Sequence, residues 1–363
     1  MADRLRVGVL GCGNVGAALC RLVVDHADII QARAGTALEI AAVAVRDLGR
    51  PRDVPVKPEA FTNDPAAVVE DAGVDILVEV MGGIEPARTL ILEALAAGKP
   101  VITANKELLA THATELLAAA ESAGVDLLFE ASVGGGIPLI RPLRESLAGD
   151  RIRRVLGIVN GTTNYILTRM TEEGSPFADV LADAQRLGYA EADPTADVGG
   201  HDAAAKAAIV ASIAFGAQVV SDDVEREGIG GITADDIGAA RELGYVVKLL
   251  AIAEELDGDV AVRVHPSMVP VQHPLASVRE SFNALFIEGD AVGELMLYGR
   301  GAGGNPAASA VLGDLIDAAK NLVSGGRGAT IGTLSRRTVR PIDEVESQFY
   351  LSMEVADRAG VLA

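Results

Sequence analysis

The chain has 363 residues, 49% of them apolar, which supports two domains and a fragment of a third. A net charge of −20 repels phosphate backbones and anionic lipid, so it argues against nucleic acid and membrane surfaces as partners. Cys12 and Cys20 exclude a disulfide framework, and the scattered His26, His112, His201, His265 and His273 have no zinc-ligand spacing. No run reaches the ~18 apolar residues of a membrane helix, and the start lacks a leader pattern. The expectation is a soluble protein of a reducing cytoplasm.

In chain order, the first 130 residues alternate short β-branched runs with alanine-rich helical stretches. "LRVGVLG" precedes "NVGAALCRLVVDHADII", and "LEIAAVAV" forms a second strand. "VDILVEVMG" leads to "PARTLILEALAAG", "PVITAN" leads to "KELLATHATELLAAAESAG", and "VDLLFEAS" closes the series. Apolar strands separated by helices predict a parallel sheet covered on both faces. Beyond residue 133 the pattern becomes mixed. "GGGIPLIRPLRESLAG" is a glycine-rich turn entering a helix, and "IRRVLGIVNGTTNYILTRM" reads as strand, turn and helix. "DVAVRV" and "FNALFIEG" are further strands, and "GRGAGGNPAASAVLGDLIDAAKNL" is a glycine-rich entry to a long helix. The predicted fold class is therefore α/β, an N-terminal Rossmann-type domain plus an α+β domain. "SGGRGATIGTLSRRTVRP" has linker composition, and the final "SQFYLSMEVADRAGVLA" opens another alternating strand.

Three stretches carry chemistry. Gly11-Cys12-Gly13-Asn14-Val15-Gly16 follows a strand and opens a helix, the context in which glycines bring backbone close to a pyrophosphate at a helix N-terminus. The second strand ends in "AVAVRD", where Arg46 is placed to pair with the 2′-phosphate of NADP, with NAD left open. "VITANKELLA" sets Lys106 where a buried strand passes into a helix, facing the ligand crevice of an open α/β sheet. Finally, "LGYAEADPTADVGGHDAAAK" crowds Glu191, Asp193, Asp197, Asp202 and Lys206 together. Asp202 and Lys206 share one face at i, i+4 of a helix that is apolar nearly all round, so the pair is expected to be buried. A lysine held by a carboxylate in such a place is suited to giving a proton to a developing alkoxide.

With "VLGCGNVG", "VEVMGGIEPAR", "VITANK", "FEASVGGGIP", "GIVNGTTNYIL", "LGYAEADPTADVGGHDAAAKAAIVA", "VHPSMVP" and "GAGGNPAASAVLGD" in this order, residues 5–325 closely resemble homoserine dehydrogenase. The resemblance implies reversible reduction of L-aspartate 4-semialdehyde to L-homoserine in threonine and methionine biosynthesis. It makes Lys206 the proton-exchanging residue, with Lys106 beside cofactor and substrate, and Glu191 and Asp202 the substrate-binding acids. It adds Gly82, Gly188 and Gly303 to the cofactor positions. It also makes "FEASVGGGI" a monovalent-cation loop, with Glu130, Val133, Gly135 and Ile137 holding sodium mainly through backbone oxygens. One departure is Ala205, where some relatives carry arginine before the lysine.

The same resemblance divides the chain into a dinucleotide domain (1–132), a catalytic and dimerisation domain (133–300) and a helix returning to the first domain (301–328). A linker (329–348) and the truncated start of an ACT regulatory domain (349–363) complete it, and a homodimer through the second domain is expected. Two alternatives stand beside this reading. Another amino-acid or semialdehyde dehydrogenase of the thioester-forming kind needs a cysteine in the second domain, and both cysteines lie in the first twenty residues. A non-catalytic dinucleotide sensor needs a basic DNA-binding segment, which this sequence lacks.

Overall fold

The computed structural model describes residues 4–329, 334–353 and 355. Its first part runs β1 (Arg4–Leu10), α1 (Asn14–Asp25), α2 (Ala27–Ala34), β2 (Ala37–Ala44), β3 (Phe61–Thr62), α3 (Pro65–Glu70), β4 (Ile76–Glu79), α4 (Ala87–Ala96), β5 (Val101–Thr103), α5 (Lys106–Ala123) and β6 (Leu127–Leu128). The six strands form one parallel sheet in the order β3-β2-β1-β4-β5-β6. Helices lie on both faces, so neighbouring residues on one strand, such as Val9 and Leu10 or Ile76 and Leu77, are all buried. The order reverses between β1 and β4, and that reversal opens a crevice beyond their C-terminal ends.

The second part contains β7 (Ile152–Ile158), α6 (Gly161–Glu173), α7 (Phe177–Arg186), α8 (Thr195–Val198), α9 (His201–Phe215), β8 (Glu225–Arg226), α10 (Ala234–Glu242), β9 (Tyr245–Leu256), β10 (Asp259–Pro270), β11 (Phe282–Gly289), β12 (Gly293–Arg300) and α11 (Gly304–Ser324). Its sheet, β12-β11-β7-β9-β10-β8, is antiparallel apart from the short β8–β10 pairing. One face packs against α6, α9 and α10. On the opposite face Leu156, Leu250, Ile252, Val269 and Phe286 form a separate apolar cluster beside a cavity of about 820 Å³.

Two helices fix the site. α9 lies between α5 and strands β9 and β10, which explains its alanine-rich, unstriped sequence: it is buried from Asp202 through Ser212. α11 crosses back to the first sheet, where Ala308, Val311, Leu315, Ala318 and Ala319 join Val7, Val9, Leu19 and Val78 in one core. Three details differ from the pattern-based expectation. The helix after "GGGIP" is a five-residue π-type turn, Pro142–Ser146, in which Leu147 N–H bonds Pro142 O at 2.8 Å. The linker-like segment is pinned to the second part: Ser335 bridges Ala217, Val339 bridges Val260, and Leu334 is buried. Residues 349–353 have no regular structure, because a strand needs a paired neighbour; the rest of the expected regulatory start, residue 354 and residues 356–363, lies outside the described residues.

Candidate active site

The glycine turn after β1 is shaped for close approach. Gly11 has φ +102°, donates its N–H to Ala44 O at 2.9 Å, and leaves no room for a side chain, whose Cβ would sit 2.7 Å from Val80 O. A Cβ on Gly16 would collide with Gly11 O, so the helix packs directly on the turn. Gly13 caps α1 with open space around it, no side chain closes the helix N-terminus, and no acid lies in the first turn beside Asn14 and Val15. The result is a helix end with free N–H donors and positive potential, suited to a pyrophosphate. Gly303 and Gly304, at the start of α11, border the same turn; a Cβ on Gly304 would lie 2.8 Å from Asn14 O. Arg46 is exposed just beyond β2 on the same side of the sheet.

Across the crevice, fully buried Glu79 ends β4. Its Oε1 accepts the N–H groups of Met81 (2.7 Å) and Gly82 (3.2 Å), and Oε2 accepts the Thr103 hydroxyl at 2.7 Å. Thr103 Oγ1 in turn accepts the Asn105 N–H, and Asn105 Nδ2 donates to Gly83 O at 2.6 Å. Asn105 also caps α5 through Oδ1 and the Leu108 N–H. This closed ring of hydrogen bonds locks the Gly82–Gly83 turn against the helix that begins with Lys106. Both glycines have φ +75°, a conformation that a side chain would strain.

Lys106 is brought to the second part of the chain. Its ammonium donates to Asp202 Oδ1, ninety-six residues away, and Asp202 Oδ2 accepts from Lys206 Nζ at 2.7 Å and from Asn160 Nδ2 at 2.9 Å. Lys206 also donates to Val159 O at 2.6 Å. Burial alone would neutralise Asp202, yet Lys206 and Lys106 outweigh it and hold the carboxyl well below the usual range. Burial likewise works against the Lys106 ammonium, and Asp202 more than compensates, raising its pKa. The two cations differ in access: the Lys106 side chain is 40% exposed toward the crevice and that of Lys206 only 11%. Two of the three Lys206 ammonium protons are committed, and one remains without a partner among the described residues.

The other sequence-derived positions lie around this cluster. Glu191 is exposed, with its backbone carbonyl accepting from Gln185 Nε2 at 3.1 Å, and no hydrogen bond joins its carboxylate to Asp202 among the described residues. Gly188, φ +78°, ends α7 and starts the segment that carries Glu191. In the 130–137 loop, Glu130 is buried and its carboxylate accepts three successive N–H groups, from Leu139, Ile140 and Arg141, at 2.5–2.8 Å. The carboxylate is therefore committed to the following turn. Gly135 has φ +57°, and its Cβ would press on Gly301 O at 2.5 Å. Two side chains that hold the site carry no motif in the sequence: Glu79, at the end of a buried strand, and Asn160, in the turn before α6. The spacing of Asn160 to Thr163 at the head of a helix is an N-cap signal that points to Asn160 alone.

Two family models match the chain: residues 11–130 match "Homoserine dehydrogenase, NAD binding domain" and residues 138–316 match "Homoserine dehydrogenase". A homoserine dehydrogenase of Corynebacterium glutamicum is 53% identical over 362 residues, spanning 98% of this chain and 81% of the relative. The solved homoserine dehydrogenase of Thiobacillus denitrificans superposes with a TM-score of 0.88 at 42% identity, covering 94% of this chain and 80% of that one. A hyperthermophilic archaeal homoserine dehydrogenase in complex with NADPH gives a TM-score of 0.73 at 29% identity, covering 87% of this chain and 97% of that one.

Proposed function

This chain belongs to the homoserine dehydrogenase family, NAD(P)-dependent oxidoreductases acting on a CH–OH group, and from that premise we propose how its residues interconvert L-aspartate 4-semialdehyde and L-homoserine. The observation that carries the proposal is one buried carboxylate, Asp202, shared by two ammonium groups at the mouth of the crevice. A nicotinamide cofactor supplies hydride to the substrate carbon when bound. Lys206 then gives the substrate oxygen its uncommitted proton, and takes it back in the oxidative direction. Its bonds to Val159 O and Asp202 aim that proton by consuming the other two. Lys106, less buried and at the N-terminus of α5, contacts both cofactor and substrate. Asp202, together with Glu191 from the 188–194 segment, receives the substrate ammonium.

The turn of Gly11, Gly13, Asn14, Val15 and Gly16 receives the pyrophosphate, with Gly82, Gly188 and Gly303 forming the backbone walls around the cofactor. Arg46 sets a preference for NADP by pairing with its 2′-phosphate. Sodium is held by the backbone oxygens of Glu130, Val133, Gly135 and Ile137, consistent with the commitment of the Glu130 carboxylate to three N–H groups. The enzyme works in the cytoplasm as a homodimer, joined through the apolar face of the second sheet around Leu156, Leu250, Ile252 and Phe286. No helix among the described residues is long and apolar enough to cross a membrane.

The test is homoserine-dependent NADP reduction at alkaline pH with Lys206→Ala. Turnover within a few-fold of the parent would remove Lys206 from the chemistry; the expected result is near-complete loss of kcat with cofactor affinity retained.

A further inference from the structure

We propose that Asn160 is a positioning residue for proton transfer, one side-chain amide that fixes Asp202, and through it Lys206, at the point where β7 passes into α6. The inference rests on Lys206 being the proton donor. Asn160 is buried and spends both ends of its amide. Oδ1 caps α6 by accepting the Thr163 N–H at 2.8 Å and the Thr163 hydroxyl at 3.0 Å. A backbone N–H is only a donor, so the amide orientation is dictated and Nδ2 must face the other way. There it donates to Asp197 Oδ1 at 2.7 Å and to Asp202 Oδ2 at 2.9 Å.

The consequence for Lys206 is geometric. The Asp202 oxygen that binds Lys206 is the same one that Asn160 holds, and the Lys206 ammonium is also bound by Val159 O, the residue before Asn160. Two consecutive residues of one strand end therefore locate both members of the acid–ammonium pair. Asn160 also places a neutral donor between the carboxylates of Asp197 and Asp202. The charged groups facing Lys206 are Asp202 on its own helix, Lys106 from α5 acting through Asp202, and Asp197 from α8 acting through Asn160.

Two variants separate this role from helix capping. Asn160→Ser keeps a capping oxygen and loses the reach to both acids. Asn160→Ala removes the cap as well as the reach. For homoserine oxidation, kcat in Asn160→Ala should lie within about threefold of that in Asn160→Ser, although the melting temperature falls further. In Asn160→Ser, kcat should fall about tenfold or more while the cofactor KM stays within about twofold.

A purely structural role would spare kcat in Asn160→Ser, which keeps the cap, and would show only as a lower melting temperature and a raised cofactor KM in Asn160→Ala. An undiminished kcat in Asn160→Ser overturns the proposal, and the serine variant decides alone if the alanine variant does not fold. Lys206→Ala assayed in parallel separates the two levels. If it remains active, the proton-donor reading fails; if it is dead while both Asn160 variants behave as the parent, only the role of Asn160 falls.

Discussion

Two buried lysines on the second half of the molecule meet opposite surroundings. Lys206 on α9 has a carboxylate at 2.7 Å, shared with Lys106. Among the described residues, Lys248 on β9 has only neutral acceptors, Asn164 Oδ1 at 3.0 Å and Val278 O at 2.5 Å. Burial brings Lys248 down to about 8, with the distant Glu172 offsetting it only in part. In the other cluster the acid reverses the outcome for Lys106, which is held as a cation more firmly than in water. The contrast teaches that depth alone does not determine what a lysine does; the charge of its acceptors does. A cation pinned by an acid can hold a proton ready for a substrate, whereas one pinned by carbonyls and an amide serves to tie a helix to a loop.

The sharpest way to break the comparison is to remove the ammonium that is proposed to react. Lys206→Ala should reduce kcat by roughly 10²–10⁴-fold, measured at saturating homoserine, with cofactor binding followed by fluorescence unchanged. Removing the acid instead strands two cations: Asp202→Asn should cost about 3–5 kcal/mol of stability in denaturant titration. The Asp202 carboxyl is depressed in the fold, so its contribution is present above the unfolded pKa and is lost as pH falls below about 4. A variant whose acid limb of stability matches the parent would refute that linkage.

Lys248 has the opposite sign. Its folded pKa is lowered to about 8, so between there and the unfolded value near 10.5 the unfolded chain binds the extra proton and stability rises with pH. That rise should be on the order of 3 kcal/mol and should vanish in Lys248→Met. The smallest effect belongs to a cation that is not buried at all. Arg46→Ala should weaken NADP by roughly tenfold and leave NAD nearly untouched; equal losses for both cofactors would remove the phosphate role.

Much of the first sheet is legible from sequence because its signals are local: an apolar run, a glycine turn and a helix occupy about thirty contiguous residues. The pairing of Asp202 with Lys206 is equally local, one helical turn, and the unstriped alanine helix announces its burial. Legibility ends where partners are distant. Lys106 and Asp202 are ninety-six residues apart, and Lys248 and Asn164 eighty-four, so neither bond leaves a spacing to read. "YVVKLLAIAEEL" shows a lysine inside a strand without saying whether an acid awaits it. Glu79 is hidden for a different reason: its partners are two main-chain N–H groups and a hydroxyl, none of which a charge pattern reveals.

The return of α11 has a consequence for how the protein comes into being. Its apolar side fills the underside of the first sheet, and its Gly304 abuts Asn14 in the glycine turn. During synthesis, therefore, the earliest strands leave the ribosome without the wall that completes them. They must wait for almost three hundred further residues before the nucleotide pocket can close. Cutting the gene between the two sheets would yield an amino-terminal half with an uncovered greasy flank, whereas supplying the last helix as a separate peptide should restore it.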